Sequence, residues 1–381
     1  MRIEALEVRH LKVPLAPPLG GSAARPAQPF RGLLVIAAHG EGGCIGYGES
    51  YGTPASVAAI VEEVLAPVVL GRDALDVEVL WHEMYRKIGY HGPGGIMLEA
   101  LSGLDLALWD LKGKALNAPA SVLLGGYRPR IEVYAASIYL DQPAAMAEQA
   151  RRFAELGWPA MKLKVGEDAE RDLAAVAAVR SAVSPPIKVM VDANGAYDRR
   201  TAIRVGRQLD KLGIAWLEEP VATQDFEGYA RVAEALDLPI AGGEGHYTRW
   251  GFRDLIQRGQ VDVLQPDLTR CGGLSEARAI AWMGSAHGRS FSPHCWSSVF
   301  GLAAAVQLAS AAPNTLNVEY DAHPNPIKER LLGPQLTPEA GVLDVPTAPG
   351  LGIEVDTQAM EQMTVARKLI APPSASRQKT A

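Results

Sequence analysis

The chain has 381 residues, 21% of them charged, and a formal net charge of −6. That length supports a large core, best divided between one barrel and a smaller domain, and the acidic balance disfavours a nucleic-acid or anionic-membrane binder. Cys44, Cys271 and Cys295 are scattered and lack CxxC spacing, so neither a disulfide framework nor a zinc knuckle is indicated.

The N-terminus, MRIEALEVRHLKVPL, mixes charge throughout and lacks a signal peptide's apolar core. The longest apolar run, VFGLAAAVQLASAA, is interrupted by Gln307 and too short to span a bilayer comfortably. A soluble cytoplasmic protein is the expectation. The alternation in RIEALEVRHLKVPL and LLVIAAHGEGGCIGYGES predicts a hairpin or meander. Between the two, APPLGGSAARPAQPF offers little to bury and no periodicity, which predicts a mobile loop. In ALSGLDLALWDLKGKAL, Leu101, Leu104, Leu108 and Leu111 recur at helical spacing. Residues 1–125 thus read as an α+β domain.

From about residue 130, short apolar runs alternate with amphipathic helical stretches. The runs are IEVYAAS, AMKLK, IKVMVDAN, IAWLEE, PIAGGE, VDVLQPD, SFSPH and LNVEY. Eight strands alternating with helices predict an α/β fold, a TIM-like (β/α)7β barrel over residues 126–322. Residues 323–370 break into Pro/Gly-punctuated strands that are expected to return to the N-terminal domain. The tail over 371–381 has no apolar content to fold around and is expected to be disordered.

The final polar residues of the strands are Lys164, Asp192, Glu218, Glu244, Asp267, His294 and Glu319. They are 28, 26, 26, 23, 27 and 25 residues apart, one strand-plus-helix period each time. A barrel gathers such ends at one rim. Lys162 and Lys164 share one face of a strand and repel each other unless an anion lies opposite. Asp192, Glu218 and Glu244 would also repel one another, and a hard divalent cation resolves that conflict. Oxygen-only donors favour Mg²⁺ over zinc. Asp267 bonded to one ring nitrogen of His294 would fix its tautomer and leave the other nitrogen as a base. Lys164 would face the metal from the opposite side, with Lys162 behind it lowering its pKa. Such a site suits removal of a proton α to a carboxylate. Metal, Lys162 and a protonated acid near Glu319 would stabilise the enediolate.

With these residues in place, the chain resembles the enolase superfamily, in particular the mandelate racemase subgroup of the mandelate racemase/muconate lactonizing enzyme family. The carriers are KLK at 162–164, VDAN, LEEP, GGE, QPD and SPH, with GYGES near the start and APGLGIEV near the end. Sites of this superfamily use a Lys or His base with one or two Mg²⁺ ions. The resemblance implies that the N-terminal domain caps the barrel, with loops near 16–30 and 50–55 closing over its mouth and selecting substrate. It makes Lys164 and the His294–Asp267 dyad the two bases, Asp192, Glu218 and Glu244 the Mg²⁺ ligands, and Glu319 the electrophile at the eighth strand. It also implies a homo-oligomer. Arg270 stands where mandelate racemase carries a lysine. VLQPDLTRCGG, PHCW and HPNPI look more like acid-sugar dehydratases and sugar-lactone cycloisomerases, galactarolactone cycloisomerase above all.

Taken singly, each residue has a plainer reading. A KxK is usually a solvated strand face, a lone histidine a structural one, and Asp267 an N-cap. Glu219 reads as the next exposed acid, and Cys271 and Cys295 as small packing residues. The ordered set is what chance does not explain. Tyr51, Asn194, His246, Arg270 and Trp296 sit near the rim and are candidate substrate-binding residues. Three functions compete. One is a Mg²⁺-dependent lyase acting on a sugar acid or its lactone, by dehydration or cycloisomerisation. A racemase or epimerase of a hydroxy or amino acid is the second, and a non-catalytic sugar-acid binding protein the third. An Asp–His dyad argues against the last, because binding alone does not require one.

Overall fold

The structure is a computed structural model that describes residues 1–24, 26–92, 94–126, 128–296 and 298–372. Alternation builds the N-terminal sheet from β1 (Ile3–Leu19), β2 (Gln28–Gly40) and β3 (Ile45–Ser50). Successive strands are antiparallel, with Leu6 opposite Ala38 and Ala38 opposite Gly46. The segment expected as a loop at 16–30 is strand at its two ends, where Ala16–Leu19 completes β1 and Gln28–Phe30 begins β2. Pairing of Pro14 with Phe30 and of Leu19 with Gln28 across a register shift gives this Pro/Gly-rich stretch a ladder that its composition does not advertise.

The helix Ile96–Ala115 lies against this sheet and is buried from Leu98 to Leu111. The contact needs glycine. A Cβ on Gly46 would sit 2.2 Å from the Ala107 carbonyl oxygen, and one on Gly48 would sit 2.1 Å from that of Gly103. Bare backbone therefore lets β3 press directly on the helix.

The barrel strands are β4 (Arg130–Ile138), β5 (Ala160–Lys164), β6 (Lys188–Asp192), β7 (Leu217–Glu218), β8 (Ile240–Gly242), β9 (Val263–Leu264), β10 (Ser290–Phe291) and β11 (Val318–Asp321). They run parallel in chain order, and β11 pairs back with β4. Hydrogen bonds from Phe291 N–H to the Asn314 carbonyl (2.9 Å) and from Leu316 N–H to the Phe291 carbonyl (2.8 Å) join the last two strands and close the ring. Among the described residues, seven helices separate the eight strands, from Pro143–Glu155 to Phe300–Ala311, so the fold is the expected (β/α)7β barrel. Local signals set the helix starts: Asp168 and Asp198 each accept two backbone N–H groups of the first turn.

Residues 323–370 divide between the two bodies. β12 (Val342–Asp344) pairs antiparallel with β4 of the barrel, and β13 (Thr364–Ile370) pairs with β1, giving the N-terminal sheet the order β13-β1-β2-β3. Most of the tail expected to be disordered, residues 373–381, lies outside the described residues. Among the described residues, no helix is long and apolar enough to cross a membrane.

Candidate active site

Strand register decides which side chains meet. In β5 every residue is buried, and the ladder sets Lys164 beside Asp192 and Asp192 beside Glu218. Glu244, Asp267 and His294 lie just past β8, β9 and β10, where a parallel bridge pairs Asp267 with His294. All seven strand-end groups converge at the C-terminal rim.

Lys162 is fully buried and lies 2.6 Å from Glu218, 3.3 Å from Glu319 and 3.7 Å from Asp192. Lys164 contacts Asp192. Burial pulls both ammonium groups down, but the surrounding carboxylates outweigh it and hold both above the ordinary lysine value. The expected lowering of Lys164 is therefore reversed, because the nearby carboxylates act more strongly than Lys162. Burial opposes the ionisation of Asp192, yet the two lysines bring it down to about 2.

Asp192, Glu218 and Glu244 each offer an oxygen within 4.8 Å of the others. Burial, with repulsion from Asp192, Glu319 and Glu244, pushes Glu218 up to about 7 despite its contact with Lys162. Trp216 Nε1 (3.1 Å) and Gln265 Nε2 (2.7 Å) both donate to Glu218 Oε2 and fix its plane. Glu219, expected to be an exposed acid, is instead buried, with φ of 40° and no hydrogen-bond partner for Oε1. Its backbone reaches in to both neighbours: its N–H donates to the Ala241 carbonyl and its own carbonyl accepts from Gly195. Five acids (Asp192, Glu218, Glu219, Glu244 and Glu319) thus crowd around two lysines and one histidine. A divalent cation held by the first, second and fourth of these would relieve the crowding, and a donor set of oxygens alone suits Mg²⁺.

In the same pocket as Lys164, His294 has its Nδ1 2.7 Å from Asp267 Oδ2. Its Nε2 lies 3.0 Å from Glu244 and 3.7 Å from Glu319. Burial lowers the His294 pKa, but Glu244, Glu319 and Asp267 together raise it to about 9. Cys295 donates its N–H to Glu319 (3.3 Å), and Cys271 and Cys295 are buried packing residues as expected.

Lys164, Glu244 and His294 line one narrow pocket with Asn194, Tyr51 and Trp296. Asn194 is pinned through its N–H to Asp192 Oδ1 (2.8 Å). The hairpin tip supplies another wall through Gly20, Ser22, Ala24, Pro26 and Gln28, so these residues of the segment read as a loop lie over the mouth. Two of the candidates sit elsewhere. His246 is buried between Phe226 and Phe252 and lines a separate aromatic cavity with Tyr85 and Trp250; apolar burial takes its pKa down to about 4. Arg270 stacks over the Tyr51 ring at 4.7 Å and donates to Glu99 (3.2 Å) and the Tyr247 hydroxyl (2.9 Å). Its head is engaged at the domain boundary, behind Tyr51. Sequence reasoning missed Tyr139, which lines the pocket just beyond β4 and accepts from Trp296 Nε1 at 2.9 Å. Its signal was position: it is the polar residue that follows the first barrel strand.

Comparison with known proteins agrees with this arrangement. Residues 6–125 match the mandelate racemase/muconate lactonizing enzyme N-terminal domain, and residues 145–359 match the enolase C-terminal domain-like family. The chain is 36% identical to D-galactarolactone cycloisomerase of Agrobacterium fabrum, over 95% of this chain and 98% of that protein. It is 33% identical to arabinonate dehydratase of Saccharolobus solfataricus, over 84% and 87%. Among solved structures, a racemase from Streptomyces coelicolor with bound magnesium superimposes with a TM-score of 0.87 at 30% identity, covering 95% of this chain and all of that one. With both of its domains matched and the acidic triad, the lysine pair and the Asp–His pair in place, the chain belongs to the mandelate racemase/muconate lactonizing enzyme family of the enolase superfamily.

Proposed function

We propose that the protein is a Mg²⁺-dependent lyase that takes the proton α to the carboxylate of a sugar acid or its lactone, followed by dehydration or cycloisomerisation. The reading is carried by one observation: Lys164 and His294, a pair of groups able to exchange protons, line the same narrow pocket beside Glu244. The relatives named as a cycloisomerase and a dehydratase add support from chemistry of the same kind.

Asp192, Glu218 and Glu244 would hold the metal. Bound there, Mg²⁺ acts as a Lewis acid that stabilises charge developing on the substrate carboxylate. The chain's own residues do the rest. Lys164 or His294 takes the α-proton, and the group on the other side protonates the departing β-hydroxyl or ring oxygen. Asp267 keeps His294 Nδ1 protonated, so that Nε2 faces the pocket. Lys162, buried against Glu218 and Glu319, keeps positive potential behind the enediolate oxygens as their charge grows. The hairpin tip and Tyr51 cover the mouth and limit access of water.

The test is incubation with Mg²⁺ in D₂O and a panel of aldonic acids, aldaric acids and their lactones. Loss of water marks dehydration, and an isomer of unchanged mass apart from deuterium marks cycloisomerisation. Deuterium at an inverted centre would instead make the protein an epimerase. Thermal shifts without exchange would make it a binding protein and overturn the catalytic reading.

A further inference from the structure

Glu49, in the GYGES stretch, takes no part in the chemistry above, yet it reaches the His294 side of the site. It stands near the end of β3 in the capping domain, next to Gly48, whose bare backbone lets that strand press on the helix Ile96–Ala115. One oxygen, Oε2, accepts from Ser298 Oγ at 2.9 Å and from the N–H groups of Val299, Phe300 and Gly301 at 2.8, 2.9 and 3.2 Å. Those groups open the helix Phe300–Ala311, and the loop that leads into it carries His294. An anion at a helix N-terminus is favoured both by the unpaired N–H groups and by the helix dipole.

Two residues after Glu49, the N–H of Tyr51 donates to the Thr269 carbonyl at 3.4 Å. Thr269 in turn gives its N–H (2.7 Å) and its hydroxyl (2.6 Å) to Asp267 Oδ1, while Asp267 Oδ2 meets His294 Nδ1. The threonine is buried, and a Cβ on Gly301 would lie only 2.5 Å from its methyl group. The end of β3 thus grips both loops that carry the dyad, the one after β9 and the one after β10. Lys164 takes its contact from Asp192, within the barrel.

We propose that this end of β3 is a clamp on the Asp267–His294 pair, with Glu49 and Thr269 as positioning residues. Docking of the capping domain fixes the plane of Asp267 and the seat of the His294 loop, so the histidine base is set by both domains and the lysine base by one. The proposal rests on the two-base reading for its importance, but the positioning itself can be measured without turnover.

The experiment uses the full chain, ¹⁵N-labelled at histidine and loaded with Mg²⁺ alone. The downfield imidazole N–H resonance of the dyad is assigned by its loss in His294→Asn. Thr269→Val and Glu49→Gln are expected to move that resonance upfield or erase it through faster exchange with water, and Thr269→Ser is expected to restore it. Circular dichroism checks that each variant is folded, and Thr269→Val decides alone if Glu49→Gln does not fold. An unmoved resonance in the folded variants overturns the clamp and leaves the two bases standing. A wild-type spectrum without any His294-dependent resonance overturns the dyad, and the clamp with it.

Discussion

Replacing Glu244 with glutamine tests the metal centre through stability rather than turnover. The ligand oxygens of Asp192, Glu218 and Glu244 lie within 4.8 Å of one another. At an effective dielectric of about 20, two unit charges at that separation repel by about 3 kcal/mol. Glu244 is the most exposed of the three, at 18%, and its close partner is His294 Nε2 at 3.0 Å. Glutamine keeps the shape, removes two of the three repulsions and gives up the attraction to His294. These effects oppose each other, so in EDTA the variant should melt at or slightly above the wild type. With Mg²⁺ at 100 times its dissociation constant, the wild type gains about 2.7 kcal/mol. For a chain of 381 residues, an unfolding entropy of about 2.1 cal/mol/K per residue turns that gain into a rise of about 3 °C. Glu244→Gln should lose most of this rise. Calorimetric melting of both proteins in EDTA and in Mg²⁺ gives the comparison directly. An equal Mg²⁺-dependent rise in the variant, or none in the wild type, would refute the assignment of the three carboxylates.

Lys164→Ala and His294→Ala should each reduce turnover on the order of 10²- to 10⁴-fold with unchanged circular dichroism; full activity in both would remove the two-base assignment. Lys328 is buried beside Tyr320, and burial brings its pKa down to about 8 from 10.5. Below pH 8 both folded and unfolded chains carry the proton and the fold bears the whole cost. Between pH 8 and 10.5 the folded chain sheds it first, so stability rises with pH. Lys328→Met should therefore be more stable than wild type at pH 7, by up to about 3 kcal/mol, with the difference shrinking toward pH 10.5 in urea melts. Gly48→Ala would place its methyl carbon 2.1 Å from the Gly103 carbonyl oxygen and should cost at least 1–3 kcal/mol, read as a lower urea midpoint.

Where sequence was legible, the controlling interaction was local or periodic. The barrel strands show because each is a short apolar run between amphipathic helices, and the site shows because each run ends on a polar residue. Failures came where a distant partner decides. Ala16–Leu19 becomes strand because Gln28–Phe30 lies alongside it, which composition cannot reveal. Glu219 follows Glu218 and alternation sends it to the opposite face, but a left-handed backbone turns it back into the barrel mouth. His246 follows Glu244 by two, and that position near the rim made it a candidate substrate-binding residue. The chain has left β8 by Gly242, however, and strand alternation no longer governs where the ring goes. Arg270 could be placed at the rim, but not its partners: Glu99 and Tyr247 are 171 and 23 residues away.

The two lysines of KLK differ in access, and under the proposed function this favours one of them as the base. Both sit in β5 two positions apart, yet Lys162 has no exposed surface and is hemmed in by Glu218, Glu319 and Asp192. Delivering a proton from Lys162 would leave three carboxylates facing a neutral amine in a dry interior, which low dielectric makes prohibitive. Lys164 lies one step nearer the rim, lines the pocket, and has Asp192 as its near partner. Engagement of Asp192 by a cation would weaken that hold on the ammonium proton while leaving Lys162 tied to Glu218 and Glu319. Metal binding would loosen the proton on the histidine side as well, because His294 Nε2 lies 3.0 Å from Glu244, another of the three metal-binding carboxylates, while Asp267 on Nδ1 stands outside that set. The two bases should accordingly both respond to metal exchange. Replacing Mg²⁺ with the larger, less polarising Ca²⁺ should slow both deuterium exchange initiated by Lys164, followed in His294→Asn, and exchange initiated by His294, followed in Lys164→Met. Unchanged exchange in either variant would refute the coupling of its base to the metal.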